Sequence, residues 1–344
     1  MVVGPRGVGK TVLLCEVASR AGATYGWPWL HVEVEAHRPF TPALLFKIAA
    51  LESALTEVPA GRRFRASEAV LRAQLAGLGG EVQFARDPVG LSTPLELQQA
   101  LTKLVEAARA RDSGFVLTVD ELQLADGTEL SPLAAALQHA TRESWPVVVA
   151  GAGLPGMRDP SRSITYFERS EWFEIGILSE SDTVLALSGP AEEAGRPLDD
   201  DAAHYLARCS GGYPYAVQLY GHHAWRASTG QDSIDLEAAR SAEATARVQL
   251  EHGLYANRWA QTPQAERRYL AAAAEVAVAG GPVTGRAVAA HLGVPGQRLS
   301  VVRARLIHRG TLTAEGEVLN FAVPGMATYV LRRFRAGDGD PPTE

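Results

Sequence analysis

Gly4-Pro5-Arg6-Gly7-Val8-Gly9-Lys10-Thr11 is the stretch that decides how this chain is read. It matches the pattern Gly-x4-Gly-Lys-[Ser/Thr] at every fixed position. Glycines let the backbone turn its N–H groups inward around phosphate oxygens, and the start of the following helix adds a favourable field. On that chemistry the backbone from Gly4 to Val12 cradles a polyphosphate, with Pro5, Arg6, Gly7 and Val8 in the turn itself. Lys10 reaches the outer phosphates and the Thr11 hydroxyl ligates Mg2+. Arg6 is expected to face solvent, since backbone groups do the cradling.

Working outward, only Met1-Val2-Val3 stand before the loop. A strand usually runs about 5–6 residues, so the sequence reads as one that begins inside its first strand. After the loop, Val12 to Arg20 has helical spacing, with Val12, Leu13, Val17 and Ala21 on one expected buried face. Trp29 to Glu35 alternates like a strand. Thr41 to Leu55 returns to helical spacing, with Thr41 as the expected cap and Pro42 in the first turn. Residues 59–94 lose the pattern and read as an insertion with one helix near Ser67–Ala76. Thr93-Pro94 opens a helix to about Arg111. Phe115 to Val119 is a continuous apolar run, typical of a parallel strand covered on both faces. Ser131-Pro132 opens another helix, and Val147–Ala150 and Trp172–Ile175 read as further strands. Strands alternating with helices imply an α/β core: a parallel sheet flanked by helices.

The apolar run Phe115–Val119 ends in Asp120-Glu121. A carboxylate at that strand end suits Mg2+ held beside the phosphates, and Glu121 would sit where an attacking water is polarised. The bland alternative is a solvated acidic turn. ATP is the expected nucleotide.

These residues resemble the AAA+ and STAND classes of P-loop ATPases. Val147 to Pro155 looks like the fourth core strand and its exit in archaeal-type and origin-recognition-like members, and Gly212-Tyr213-Pro214 resembles their Gly-x-Pro element. The resemblance implies that Pro214 lies in a helical lid near the nucleotide, in place of a sensor arginine. It also implies an arginine finger just before the fifth strand, where Arg169 stands, with Arg162 the weaker choice; a salt-bridged surface arginine is the other reading of Arg169. Family members usually carry a polar sensor after the fourth strand, whereas this chain has Gly151-Ala152-Gly153. The segment that covers adenine in the family does not appear in the sequence.

Beyond Leu178 the strand signals stop and helices are expected to about Tyr255. From Thr262 the pattern changes again. Helical stretches at Gln264–Ala279, Gly285–Leu292 and Arg298–His308 precede a two-stranded turn over Thr311–Phe321 and a last helix near Met326–Arg335. That order suggests a winged helix-turn-helix. Its second helix would be Gly285–Leu292, with Arg298, Arg303, Arg305 and Arg309 placed to meet double-stranded DNA. A protein contact, or self-association, with a solvated basic face is the alternative. The expected division is 1–177 ATPase core, 178–258 all-α lid, 259–336 winged helix and 337–344 disordered tail.

Charge supports the division. The net charge is −6, yet Thr262–Arg335 holds ten Arg and four Glu, or +6, and the acidic balance belongs to the rest. Composition excludes other classes. Hydrophobic residues are 46% and charged residues 21%, as in a folded protein rather than a disordered one. No apolar run approaches the ~20 residues of a membrane span. Two cysteines, Cys15 and Cys209, cannot build a disulfide framework. Both are expected to be buried, reduced thiols in a cytoplasmic protein. His222 and His223 are adjacent, so they do not share a helix face, and no zinc-site spacing surrounds them.

Overall fold

The computed structural model describes residues 1–57, 94–125, 127–158 and 167–338. The expected insertion with its Ser67–Ala76 helix, Arg162, and the tail from 339 onward lie outside the described residues. The chain forms two compact units, Met1–Val3 with Lys10–Glu174, and Gly4–Gly9 with Ile175–Glu344.

The first unit is built on β1 (Val2–Val3), β2 (Trp29–Glu33), β3 (Phe115–Asp120), β4 (Val147–Gly153) and β5 (Phe173–Glu174). These strands form one sheet in the order β2-β3-β4-β1-β5, every pairing parallel. All six residues of β3 are buried, as a central parallel strand requires. The short β1 is paired on both sides, Val2 with Ala152 and with Phe173. Parallel pairing brings the carboxyl ends of the strands to one edge of the sheet, the edge where open α/β sheets bind ligands.

Helices α1 (Lys10–Tyr25), α2 (Phe40–Glu57), α3 (Pro94–Arg109) and α4 (Gly127–Arg142) flank the sheet. Leu44, Ile48, Leu104 and Leu133 pack with Phe115 and Leu117 in one apolar cluster. The phase of α1 differs from the sequence expectation. Lys10, Leu14 and Ala18 are its buried residues, at four-residue spacing, while Val12 is 71% exposed and Leu13 and Val17 are each 36% exposed. Once Lys10 turns inward, the row one and two turns later must follow it. The same rotation leaves Cys15 exposed rather than buried, and Cys209 is only partly covered.

Two helix starts also differ. The Phe40 N–H donates to Glu129 Oε1 (2.9 Å), so α2 takes its N-terminal acceptor from α4 and the expected cap, Thr41, is buried inside the helix. Helix α4 begins at Gly127, a turn before Ser131-Pro132, and Pro132 lies inside it.

The second unit contains α5 (Glu180–Glu193), α6 (Asp200–Ser210), α7 (Pro214–Ala227) and α8 (Leu236–Gln249). A π-turn at Leu250–Tyr255 leads into α9 (Ala256–Ala260). There follow α10 (Gln264–Val278), α11 (Gly285–Leu292), α12 (Ser300–His308), the antiparallel pair β6 (Leu312–Glu315) and β7 (Val318–Phe321), and α13 (Met326–Arg333). Side-chain oxygens cap three of these helices: Ser179 for α5, Asp235 for α8 and Thr284 for α11. Gly337 and Asp338, placed in the tail by the sequence reading, close a last π-turn. One apolar cluster runs through Leu206, Tyr213, Val217, Tyr269, Leu306 and Val330.

Candidate nucleotide site

The motif begins in the second unit, as the loop Gly4–Gly9, and continues at Lys10 and Thr11 into α1 of the first. In the first unit, Lys10 is 5% exposed and Asp120 2% exposed. The Thr11 hydroxyl donates to Asp120 Oδ2, and Asp120 Oδ1 accepts the Glu121 N–H (2.7 Å). Both carboxylate oxygens of the strand-end acid are therefore engaged. A hydroxyl and a carboxylate already in contact supply the hard oxygen donors that Mg2+ prefers.

Glu121 itself sits in the left-handed region, φ 53° and ψ 33°. For a residue with a Cβ this costs about 1–2 kcal/mol, and such conformations cluster at functional sites. Its carboxylate Oε2 accepts from Gln123 Nε2, and Gln123 Oε1 accepts the Leu154 N–H just past β4 (3.1 Å). Beneath, Thr118 donates to Leu30 O (3.1 Å) and pairs with His31 Nδ1 (2.9 Å). Burial pulls the His31 imidazole below its ordinary value, against the opposing pull of Asp120.

The exit of β4 carries no polar side chain, and the packing explains why. A Cβ on Gly151 would fall 2.5 Å from Leu122 Cδ1, and one on Gly153 would fall 2.0 Å from Met157 Sδ and 2.9 Å from Gln123 Oε1. Space that a sensor side chain would occupy is already filled.

In the second unit the loop is held from its carbonyl side. Tyr213 Oη donates to Arg6 O (2.7 Å), and Arg258 Nη2 donates to the same oxygen (3.0 Å) and to Tyr213 Oη (3.3 Å). The Tyr215 N–H donates to Gly7 O (3.2 Å). Gly7 has φ +83°, and a Cβ there would lie 2.0 Å from Tyr213 Oη, so only glycine allows this approach. Burial pushes the Tyr213 hydroxyl up and pulls the Arg258 guanidinium down from their ordinary values; a neutral phenol remains free to donate. The Arg6 side chain is exposed. Pro214 is the first residue of α7, after Gly211 and Gly212 at positive φ.

The remaining expected residues lie elsewhere. Val12 faces outward. Arg169 is exposed in a 3₁₀ turn before β5, beside a surface depression lined by Gln138, Thr141 and Arg142. Among the described residues no hydrogen bond joins it to Thr11, Asp120 or Glu121. Arg298, Arg303, Arg305 and Arg309 are exposed on and around α12, but Arg309 Nη1 is paired with buried Glu266 (2.9 Å).

Three residues at the site escaped the sequence reading in role: Gln123, Tyr213 and Arg258. Gln123 carried a local signal, as the polar residue two places after Glu121 in an otherwise apolar turn. Arg258 carried none, being far along the chain from Arg6.

Residues 1–150 match the family model described as "AAA ATPase domain". Residues 252–330 match "Domain of unknown function (DUF8462)". No curated protein matches the chain. Among solved structures, a Walker-type ATPase of Pyrococcus abyssi is similar at 15% identity and TM-score 0.60, over 96% of this chain and 89% of that one; the likeness is one of fold. The Thermotoga maritima RuvB Holliday junction branch migration motor matches at 17% identity and TM-score 0.45, over 99% and 87% of the two chains. Cdc6p of Pyrobaculum aerophilum matches at 15% identity and TM-score 0.43, over 98% and 88%. With its phosphate loop, its parallel sheet and its strand-end carboxylate, the segment 1–150 is an AAA-type P-loop ATPase domain.

Proposed function

We propose that the chain is an ATP-dependent switch with slow Mg2+-dependent hydrolysis, coupled to a partner through its basic C-terminal segment. The observation that carries this reading is the Thr11–Asp120 hydrogen bond, which joins the end of the phosphate loop motif to the end of a buried strand. Lys10 and the loop backbone from Gly4 to Val12 bind the phosphates. Thr11 and Asp120 hold Mg2+, which neutralises phosphate charge when bound. Glu121 orients and polarises the attacking water. Pro214 and its neighbours in α7 serve as the lid contact, and Arg169 acts as a finger toward transferred charge, in a neighbouring copy if the chain self-associates. The proposed division is core 1–177, lid 178–258 and winged helix 259–336, in the STAND manner.

Lys10→Ala tests the binding site. Losing a charged donor to phosphate should weaken ATP binding by roughly 10–100-fold, read by titration calorimetry. Unchanged affinity would sink the reading.

For the partner, duplex DNA is favoured by Arg298, Arg303 and Arg305, each exposed on or just before α12. Affinity should fall steeply as salt rises, and Arg303→Ala with Arg305→Ala should flatten the log–log salt slope by about two. Salt-independent or absent DNA binding would point instead to a protein partner. A second reading, a nucleotide-gated module with little turnover, is favoured by Gly151 and Gly153, which leave the β4 exit without a sensor side chain.

A further inference from the structure

We propose that Gln123 is a positioning residue for hydrolysis, holding the Glu121 carboxylate in place by tying it to the exit of β4; this rests on the hydrolytic reading above. The Gln123 amide is used at both ends. Its Oε1 accepts the Leu154 N–H (3.1 Å), and its Nε2 donates to Glu121 Oε2. The orientation is forced rather than chosen. A backbone N–H can only donate and an ionised carboxylate can only accept, so the amide oxygen must face Leu154 and the amide nitrogen must face Glu121.

It is the carboxylate that needs this tether. Glu121 leaves β3 in a left-handed conformation, φ 53°, which aims its side chain away from the strand's regular alternation. The Glu121 N–H is held by Asp120 Oδ1 and its carbonyl by the Leu124 N–H (2.8 Å). Neither bond restrains the carboxylate, and the Gln123 amide does. The second anchor lies on a different strand. Leu154 follows β4, which is paired residue by residue with β3 from Phe115↔Val147 to Val119↔Gly151. The Oε1 tip of the same side chain comes within 2.9 Å of where a Cβ on Gly153 would be, so a larger residue at 153 would press on it. A carboxylate tied across two paired strands keeps one direction toward an attacking water, and loses less orientational freedom as it acts.

The test compares Gln123→Met and Gln123→Glu in the full-length chain. Methionine keeps the volume and removes both bonds. Glutamate keeps the acceptor for Leu154 but cannot donate to Glu121. Steady-state ATP hydrolysis should fall about 10–100-fold in kcat for both variants, with KM little changed, matching the loss of a hydrogen bond to a charged group. A readout without nucleotide separates the two ends. Amide exchange at Leu154 should speed up in Gln123→Met and stay near wild type in Gln123→Glu.

Near-normal kcat in Gln123→Glu would mean that only the Leu154 bond matters, and would overturn the proposal while leaving Glu121's role intact. A rise in KM with kcat unchanged would also overturn it, because Gln123 would then serve binding. A wild-type protein that binds ATP and releases no phosphate would overturn the hydrolytic reading itself. In a Glu121→Gln background, Gln123→Met should cause no further loss in kcat; additive losses would show that the two side chains act separately.

Discussion

Glu121→Gln is expected to cut phosphate release from ATP by about 10²–10⁴-fold, the usual worth of a positioned general base, while ATP remains bound. The substitution preserves shape and removes only basicity. Thr11 and Asp120, which meet through the Thr11 hydroxyl, are untouched, and so is the loop that receives the phosphates. The Glu121 N–H still has Asp120 Oδ1 as its acceptor, so the left-handed turn survives. The measurement is single-turnover phosphate release beside an ATP binding isotherm. Retained binding with lost turnover assigns the base; retained turnover removes Glu121 from the chemistry. If the wild type also turns over negligibly, the nucleotide-gated module becomes the better description.

Gly212→Ala, just before α7, should be strongly destabilising for so small a change, costing about 3 kcal/mol or more. Two costs combine there. The backbone has φ +70°, and the added Cβ would fall 2.2 Å from Leu178 O, a backbone atom with little room to yield. Leu178 cannot simply retreat, because its N–H donates to Gly212 O (2.8 Å). Gly230 offers the control: φ is +87° but the added Cβ would meet nothing, so Gly230→Ala should cost only about 1 kcal/mol. Urea midpoints for the two variants separate strain from collision. Equal losses would show that the Leu178 approach is not rigid.

The parts of this protein that were legible in its sequence are those where one residue type has few other uses. A Gly-x4-Gly-Lys-Thr run and a buried apolar strand ending in acid leave little choice, and Asp120 meets Thr11 as their chemistry requires. The order of elements was readable for the same reason, since β3 is apolar at every position but Thr118 and its terminal acid. The phase of α1 was not. Val12, Leu13 and Leu14 are consecutive apolar residues, so two helical faces score alike, and only the inward turn of Lys10 chooses between them. Helix starts failed where the acceptor came from another element, as Glu129 does for Phe40. Tyr213 stands in the sequence only as the variable residue before Pro214, yet its hydroxyl is what reaches the loop. Arg258 reaches the same carbonyl from a distance in sequence that no local pattern spans.

The loop Gly4–Gly9 belongs to the unit that begins again at Ile175, and this governs how the gene can be dissected. A cut at residue 174 separates the loop Gly4–Gly9 from the residues it is grouped with. The N-terminal piece keeps the sheet but leaves the Arg6 carbonyl without Tyr213 and Arg258 as donors. In the C-terminal piece Arg258 keeps Gly310 O and Tyr213 Oη as acceptors, but the buried Tyr213 hydroxyl loses the Arg6 carbonyl, and a buried group left unsatisfied costs about 1–3 kcal/mol. Fragments for biochemistry are therefore better made by trimming the far end than by separating an apparent ATPase half, and a grafted phosphate loop would need its distant tyrosine and arginine to travel with it.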